Sequence, residues 1–172
     1  MITLLHAHCH IDSLKEQLEQ NYARSLILGA EHEATQNCYE FSVTVGDEAI
    51  GLGLATARTA VEPSLCLNST KDRVFVGYDV YVAEVMLESL KHSDRMLDGV
   101  FLGFEEVRLH GLLVVHELGA MMLDHRFDRK WSVCTDVVSH WVIEQGLGRL
   151  TLVELESHRT IHVEIDTGVM SA

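Results

Sequence analysis

The sequence predicts a mainly β fold: three repeated antiparallel units of three to four strands each, blade-like and open or forming a partial propeller, with one N-terminal helix. Three observations predict it. A pattern recurs over Ser64–Ser89, Gly99–His125 and Ser139–Thr167: an apolar run, a polar break, a second run, a turn, and a third run closing on an acid, Glu88, Asp124 or Asp166. The recurrences keep a steady period, 37 residues from Leu65 to Leu102, 40 from there to Val142, and 38 for both steps from Val74 through Leu112 to Leu150. Periods of this size belong to stacked or radially arranged sheets. Helical spacing, in contrast, is picked out at one place, Ile11, Leu14, Leu18 and Tyr22.

In chain order, Ile2–His10 (ITLLHAHCH) reads as a first strand. Ser13 and Glu16 form a capping box, the hydroxyl accepting the Glu16 backbone N–H, so a short helix is expected over 13–23. Ser25–Leu28 is apolar and reads as strand, and 31–37 as polar connection. Tyr39–Val45 alternates at period two, turns at Gly46-Asp47, and returns as Ile50–Ala55, a hairpin. The glycines of IGLGLA suggest a bulge or a close backbone approach. In the repeats, first strands are expected at 64–68, 100–105 and 139–144, second strands at 73–77, 111–117 and 148–155, and third strands at 80–88, 119–124 and 160–166. The segment from Asp128 to Cys134 could add a fourth, outer strand. The organisation expected is one domain over 1–172, with a strand–helix–hairpin part at 1–60 and the three units at 64–168.

Composition narrows the class. A chain of 172 residues, 47% hydrophobic with a single proline, can bury a sizeable core. Its longest apolar runs, about 6 residues, fall far short of a membrane helix. The N-terminus has no basic region and no cleavage site, so a cytoplasmic protein is expected, and the sequon at Asn68–Thr70 is set aside. Cys9, Cys38, Cys66 and Cys134 lie far apart and read as buried small hydrophobes. The net charge is −13, with 8 acids against 3 bases in 1–60 and 18 against 10 in 61–172. Such a field repels nucleic acid and attracts a basic protein; on its own it also serves simple solubility.

The run from Leu113-Val114-Val115 through Leu123-Asp124 to Trp131-Ser132 resembles propeller blades of the pyrroloquinoline-quinone-repeat kind, over about 105 residues. The glycine usual after the aspartate is missing after Asp124 and present as Gly168 after Asp166-Thr167. Three units are fewer than the ~4 blades of a closed propeller. The resemblance implies a blade-like sheet arrangement, open or completed by residues 39–56; it implies no quinone cofactor and no catalytic residue.

His6, His8 and His10 would share one face of a strand, and imidazoles on one face can ligate zinc or another transition metal. The stretch HAHCHID also resembles the first-strand motif of TatD-type metal-dependent hydrolases, which implies His8 and His10 as the ligands. That family is a (β/α)8 barrel of at least ~200 residues, and this chain is shorter and β-patterned. Beyond the histidines no cofactor is expected.

Other constellations carry less. His116-Glu117 lacks the second histidine of a zincin, because position 120 is alanine. Cys134 and His140 have no spacing that would bring them together as nucleophile and base. Glu154 with Glu156, and Glu164 with Asp166, alternate as on a solvated sheet face. Trp131, Trp141, Tyr78, Tyr81 and Phe104 read as core and sheet-face packing. Walker A, G-x-S-x-G and G-x-G-x-x-G signatures are absent. The reading favoured is a non-enzymatic acidic binding module meeting a basic partner through Glu105, Glu106, Glu117, Asp124 and Asp128, as immunity or inhibitor proteins do. The alternatives are a metal-dependent hydrolase using the histidines and a structural protein that self-associates through unpaired strands as a homo-oligomer.

Overall fold

The computed structural model describes residues 1–8, 10–29, 37–57, 61–107 and 110–171; for residues 5–8 and 145 it describes the backbone alone. The fold is mainly β. It begins with β1 (Ile2–His8), α1 (Ile11–Asn21), β2 (Ser25–Leu28), β3 (Asn37–Val45) and β4 (Glu48–Thr56). These strands form one sheet in the order β1-β3-β4-β2, antiparallel except where β2 runs parallel to β4. The hairpin β3–β4 pairs nine residues on each side and closes on Gly46-Asp47, where Gly46 takes φ 60°.

Three further sheets follow, each an antiparallel meander of four strands in sequence order. The first is β5 (Ser64–Leu67), β6 (Arg73–Tyr78), β7 (Tyr81–Met86) and β8 (His92–Met96). The second is β9 (Phe101–Val107), β10 (Gly111–His116), β11 (Gly119–Leu123) and β12 (Arg129–Cys134). The third is β13 (Val138–Glu144), β14 (Arg149–Glu154), β15 (Thr160–Glu164) and the two-residue β16 (Met170–Ser171). The repeated antiparallel units are therefore present, and each of the sheets is open, with two unpaired edges. The chain divides into two compact units, Met1–Asp79 with Ala83–Asp94, and Val80–Val82 with Arg95–Ala172.

In the first unit α1 lies on the face of the sheet that carries Gly51, Gly53 and Ala55. A Cβ on Gly53 would stand 2.8 Å from Leu18 and 3.0 Å from Leu14. The glycines of β4 thus mark a close approach, of a helix to a strand, and no bulge interrupts the β3–β4 register. Leu14 and Leu18 are wholly buried there with Cys38 and Ala55, and Ile11, Tyr22 and Ile27 close around them. Each such leucine contributes about 1.5–3 kcal/mol. The helix begins two residues earlier than the capping box suggests, where Ile11 packs partly buried against this core. It starts at Ile11, its N-cap is His10 with no side-chain cap, and Ser13 lies inside the helix.

In the second unit, alternate residues of two sheets build one core. Leu113, Val115, Ala120 and Met122 of the β9–β12 sheet join Leu150, Leu152, Ile161 and Val163 of the β13–β16 sheet, flanked by Trp131 and Trp141. Strands β10 and β11 are buried along their whole length. Strand β14 buries only Leu150, Leu152 and Glu154; Arg149 and Thr151 point the other way, onto a polar face. On that face Arg149 pairs with Glu144 at 2.6 Å, and Thr151 and His162 share a hydrogen bond of 3.1 Å.

One turn is used three times. In Met86–Lys91 (MLESLK), Glu154–Arg159 (ELESHR) and Glu164–Val169 (EIDTGV) the first N–H donates to the last carbonyl, at 2.9, 3.0 and 2.9 Å. In each, a hydroxyl at the fourth position (Ser89, Ser157, Thr167) accepts the N–H of the sixth, at 3.3, 3.1 and 3.2 Å. The fifth residue is left-handed: Leu90 at φ 54°, His158 at 54° and Gly168 at 71°. Of the acids that close the runs, Glu88 and Asp166 occupy the third position of this turn, outside the strands, as does Glu156; Asp124 lies in a turn of another kind.

Candidate functional site

Four of the five acidic residues singled out in the sequence lie toward one end of the β9–β12 sheet. Glu106 stands opposite Leu112, which stands opposite Leu123, and the Asp124–Asp128 turn follows directly. Glu105 is one step further in, opposite Leu113. Adjacent strand residues leave a sheet on opposite faces, so Glu105 and Glu106 serve different faces. Both are half-buried. Glu117 lies at the other end of the sheet, in the β10–β11 turn, about 16 Å away at ~3.3 Å per residue over the strand between.

Asp124 organises its own turn. Its Oδ1 accepts the backbone N–H of Arg126 at 2.8 Å and of Asp128 at 2.9 Å. These bonds, that to Asp128 first, hold its carboxyl below the usual carboxylate range. Arg95 of β8 braces the same turn. Its Nε donates to the Phe127 carbonyl, its guanidinium pairs with Asp128 at 2.9 Å, and it lies 5.6 Å from the centre of the Phe127 ring. Phe127 is buried and left-handed, at φ 64°. Nearby in the same unit, His110 meets Asp166 at 3.0 Å. Sequence reasoning missed Arg95 because β8 reads HSDRM, a polar stretch with no apolar alternation.

The opposite end of this unit carries a polar cavity of about 450 Å³, lined by Cys134, Asp136, Glu154, Arg159 and Met170 among others. Glu154 belongs to the interior, not to a solvated sheet face as its spacing suggests. It is 4% exposed, and it accepts the Ser157 hydroxyl at 2.5 Å and the Asp136 N–H at 3.2 Å. Those bonds, that to Ser157 first, keep it below the usual carboxylate range. Glu156 sits beyond the end of β14 in the turn, and Asp166 beyond β15, so neither acidic pair shares a strand face. Cys134 is exposed on the edge strand β12 and is no core residue; Cys38 is buried. His116 is wholly buried, and neither ring nitrogen has a hydrogen-bonding partner among the described residues.

The strand expected to carry His6, His8 and His10 is two residues shorter than expected. Strand β1 ends at His8, and His10 is the exposed N-cap of α1, because the helix takes over at Ile11. The side chains of His6 and His8 lie outside the described residues, as does Cys9. Among the described residues, no three His, Cys, Asp or Glu side chains gather as a metal site. None of the helices described is long and apolar enough to cross a membrane. No protein-family model matches the chain, and no curated protein is recognisably similar to it.

Proposed function

We propose that the chain is a non-catalytic acidic binding module whose partner is a basic polypeptide. The observation that carries this reading is the charge: 26 acids against 13 bases on one small β scaffold. Glu105, Glu106 and Asp128 supply the meeting surface at one end of the β9–β12 sheet. Asp124 supports it indirectly, by fixing the turn on which Asp128 rides. Glu117, at the far end, serves a second contact. Steering by such a field raises association rates and falls away as salt screens it. A protein that neutralises a basic partner, in the manner of an immunity protein or inhibitor, fits this chemistry and a cytoplasmic setting.

The reading is tested with the whole chain. A partner is captured from native lysate at low and moderate salt, purified, and its association timed against wild type and the Glu105→Lys/Asp128→Lys variant. The double reversal is expected to slow association about tenfold at low salt and to flatten its salt dependence. Failure to recover any partner, or an unaltered rate, would overturn the reading.

The repeats carry a second reading, that the three C-terminal sheets are arranged like blades of the pyrroloquinoline-quinone-repeat kind, as an open or partial propeller. It is supported by three successive meanders with first-to-last strand order.

A further inference from the structure

We propose that the polar cavity of the second unit binds a small zwitterion, an α-amino acid with an apolar side chain. Its volume, about 450 Å³, lies in the lower part of the range of small-molecule sites. Three pieces of chain wall it: the end of β12 with the residues that follow, the turn from Glu154 to Arg159, and the β15–β16 pair. The wall offers three kinds of chemistry. Asp136 and Glu154 bring negative charge, Arg159 brings positive charge, and Ile161 and Met170 bring apolar surface.

Glu154 carries the argument. It is 4% exposed and lies on the face of β14 that buries Leu150 and Leu152, so it stands where the apolar core ends. The Ser157 hydroxyl donates to its Oε2 and the Asp136 N–H to its Oε1. An ionised carboxylate can accept about two bonds at each oxygen, so each keeps a free acceptor position. Neither donor is a cation, and a carboxylate drawn out of water gains most from one. Asp136 adds a second carboxylate beside it, and that side chain makes no hydrogen bond or ion pair among the described residues. Arg159 lies near enough for its charge to act on Glu154, yet its guanidinium pairs with no carboxylate among the described residues. A ligand ammonium beside the two carboxylates and a ligand carboxylate on the guanidinium would satisfy all three groups. Phosphate-rich ligands suit this wall poorly, since two of its three charges are negative.

The turn does not itself require these charges. Its three copies begin and end on Met86 and Lys91, Glu154 and Arg159, and Glu164 and Val169, and the same bond from first N–H to last carbonyl closes each. Of the three, the Glu154 copy alone sets an acid and a base at its two ends. Its acid is buried, whereas Glu164 is exposed. The closing bond holds the two backbones together, so acid and base are positioned before any ligand arrives, which lowers the entropic cost of binding. Ile161 is fixed in the core, and Met170, exposed and unbranched, can adapt to an apolar side chain laid against it. The site uses none of the residues of the protein-binding reading.

The test is calorimetric titration of the full chain with L-valine, L-leucine, L-isoleucine, L-methionine and L-phenylalanine in turn. At least one is expected to bind at a single site. The matching amine without its carboxylate, and the matching acid without its amine, should each bind about tenfold more weakly or worse, because each leaves one side of the wall unpaired. Arg159→Gln and Asp136→Asn should each weaken the amino acid about tenfold or more. Glu156→Gln, in the same turn but outside the cavity, should leave the affinity within about twofold. Saturation by none of the five amino acids, equal affinity for the amine or the acid, or undiminished binding in either cavity variant would each overturn the site.

Discussion

The indole N–H of Trp131 donates to the carbonyl of Ile165 at 2.8 Å, so a side chain of β12 holds the turn between β15 and β16. The ring lies over Gly168, where an added Cβ would fall 2.7 Å from the indole, and Gly168 is itself left-handed at φ 71°. Position and conformation both call for glycine. Gly168→Ala is expected to cost about 1–3 kcal/mol in urea unfolding. In a Trp131→Ala background the same change should cost distinctly less, because the clash is gone and only the backbone strain remains. Full additivity in that cycle would mean that the two residues do not touch.

The second use of the turn puts a histidine where the third has glycine. His158 is exposed and held at φ 54°, a conformation costing an L-residue about 1–2 kcal/mol. Part of the relief given by glycine returns as lost chain entropy. His158→Gly is expected to stabilise the protein by about 0.5–1 kcal/mol, read from the urea midpoint. An unchanged or lowered midpoint would mean that the His158 side chain contributes something the turn geometry does not reveal.

The glycines of β4 act through packing. Gly53→Ala pushes a methyl group to 2.8 Å from Leu18 and 3.0 Å from Leu14, so α1 must shift or tilt. A loss of about 1–3 kcal/mol is expected. Gly146→Ala is the control, since a Cβ there meets nothing within 4 Å, and it should stay within about 0.5 kcal/mol. Equal effects for the two substitutions would contradict the close approach of helix and sheet.

These residues also show what the sequence made legible and what it did not. Strands with apolar runs, such as Leu112–Val115 and Leu150–Leu152, announce themselves through burial, and their period places the repeats. The fourth strands do not. His92–Met96 has no buried residue to mark it apart from half-covered Arg95, and β16 is two exposed residues long. Position along the strand was readable for Glu105 and Glu106; the role of Asp124 was not, since an acid that organises backbone and an acid that meets a partner look alike in sequence. The end of the first strand was misplaced for a similar reason. Period two holds only while the strand lasts, and the strand ends at His8 with the helix taking over at Ile11.

His116 ties the fold to pH. Burial holds its imidazole below the ordinary histidine value, and the Asp98 carboxylate opposes that shift without cancelling it. The folded protein therefore takes up its proton at lower pH than the unfolded chain, which binds near 6.5. Stability from this residue is complete above about pH 6.5 and drains away as the pH falls from there toward the folded value. His116→Leu removes both unpartnered ring nitrogens at similar volume. It is expected to raise stability at pH 7 by about 1 kcal/mol and to flatten the decline between pH 7 and 5.5. Urea unfolding of wild type and variant at the two pH values measures both effects. Parallel declines would assign the pH dependence to other groups, among them the carboxyls of Asp72, Asp124 and Glu154, whose lowered values put their own losses in the acid range below about 4.5.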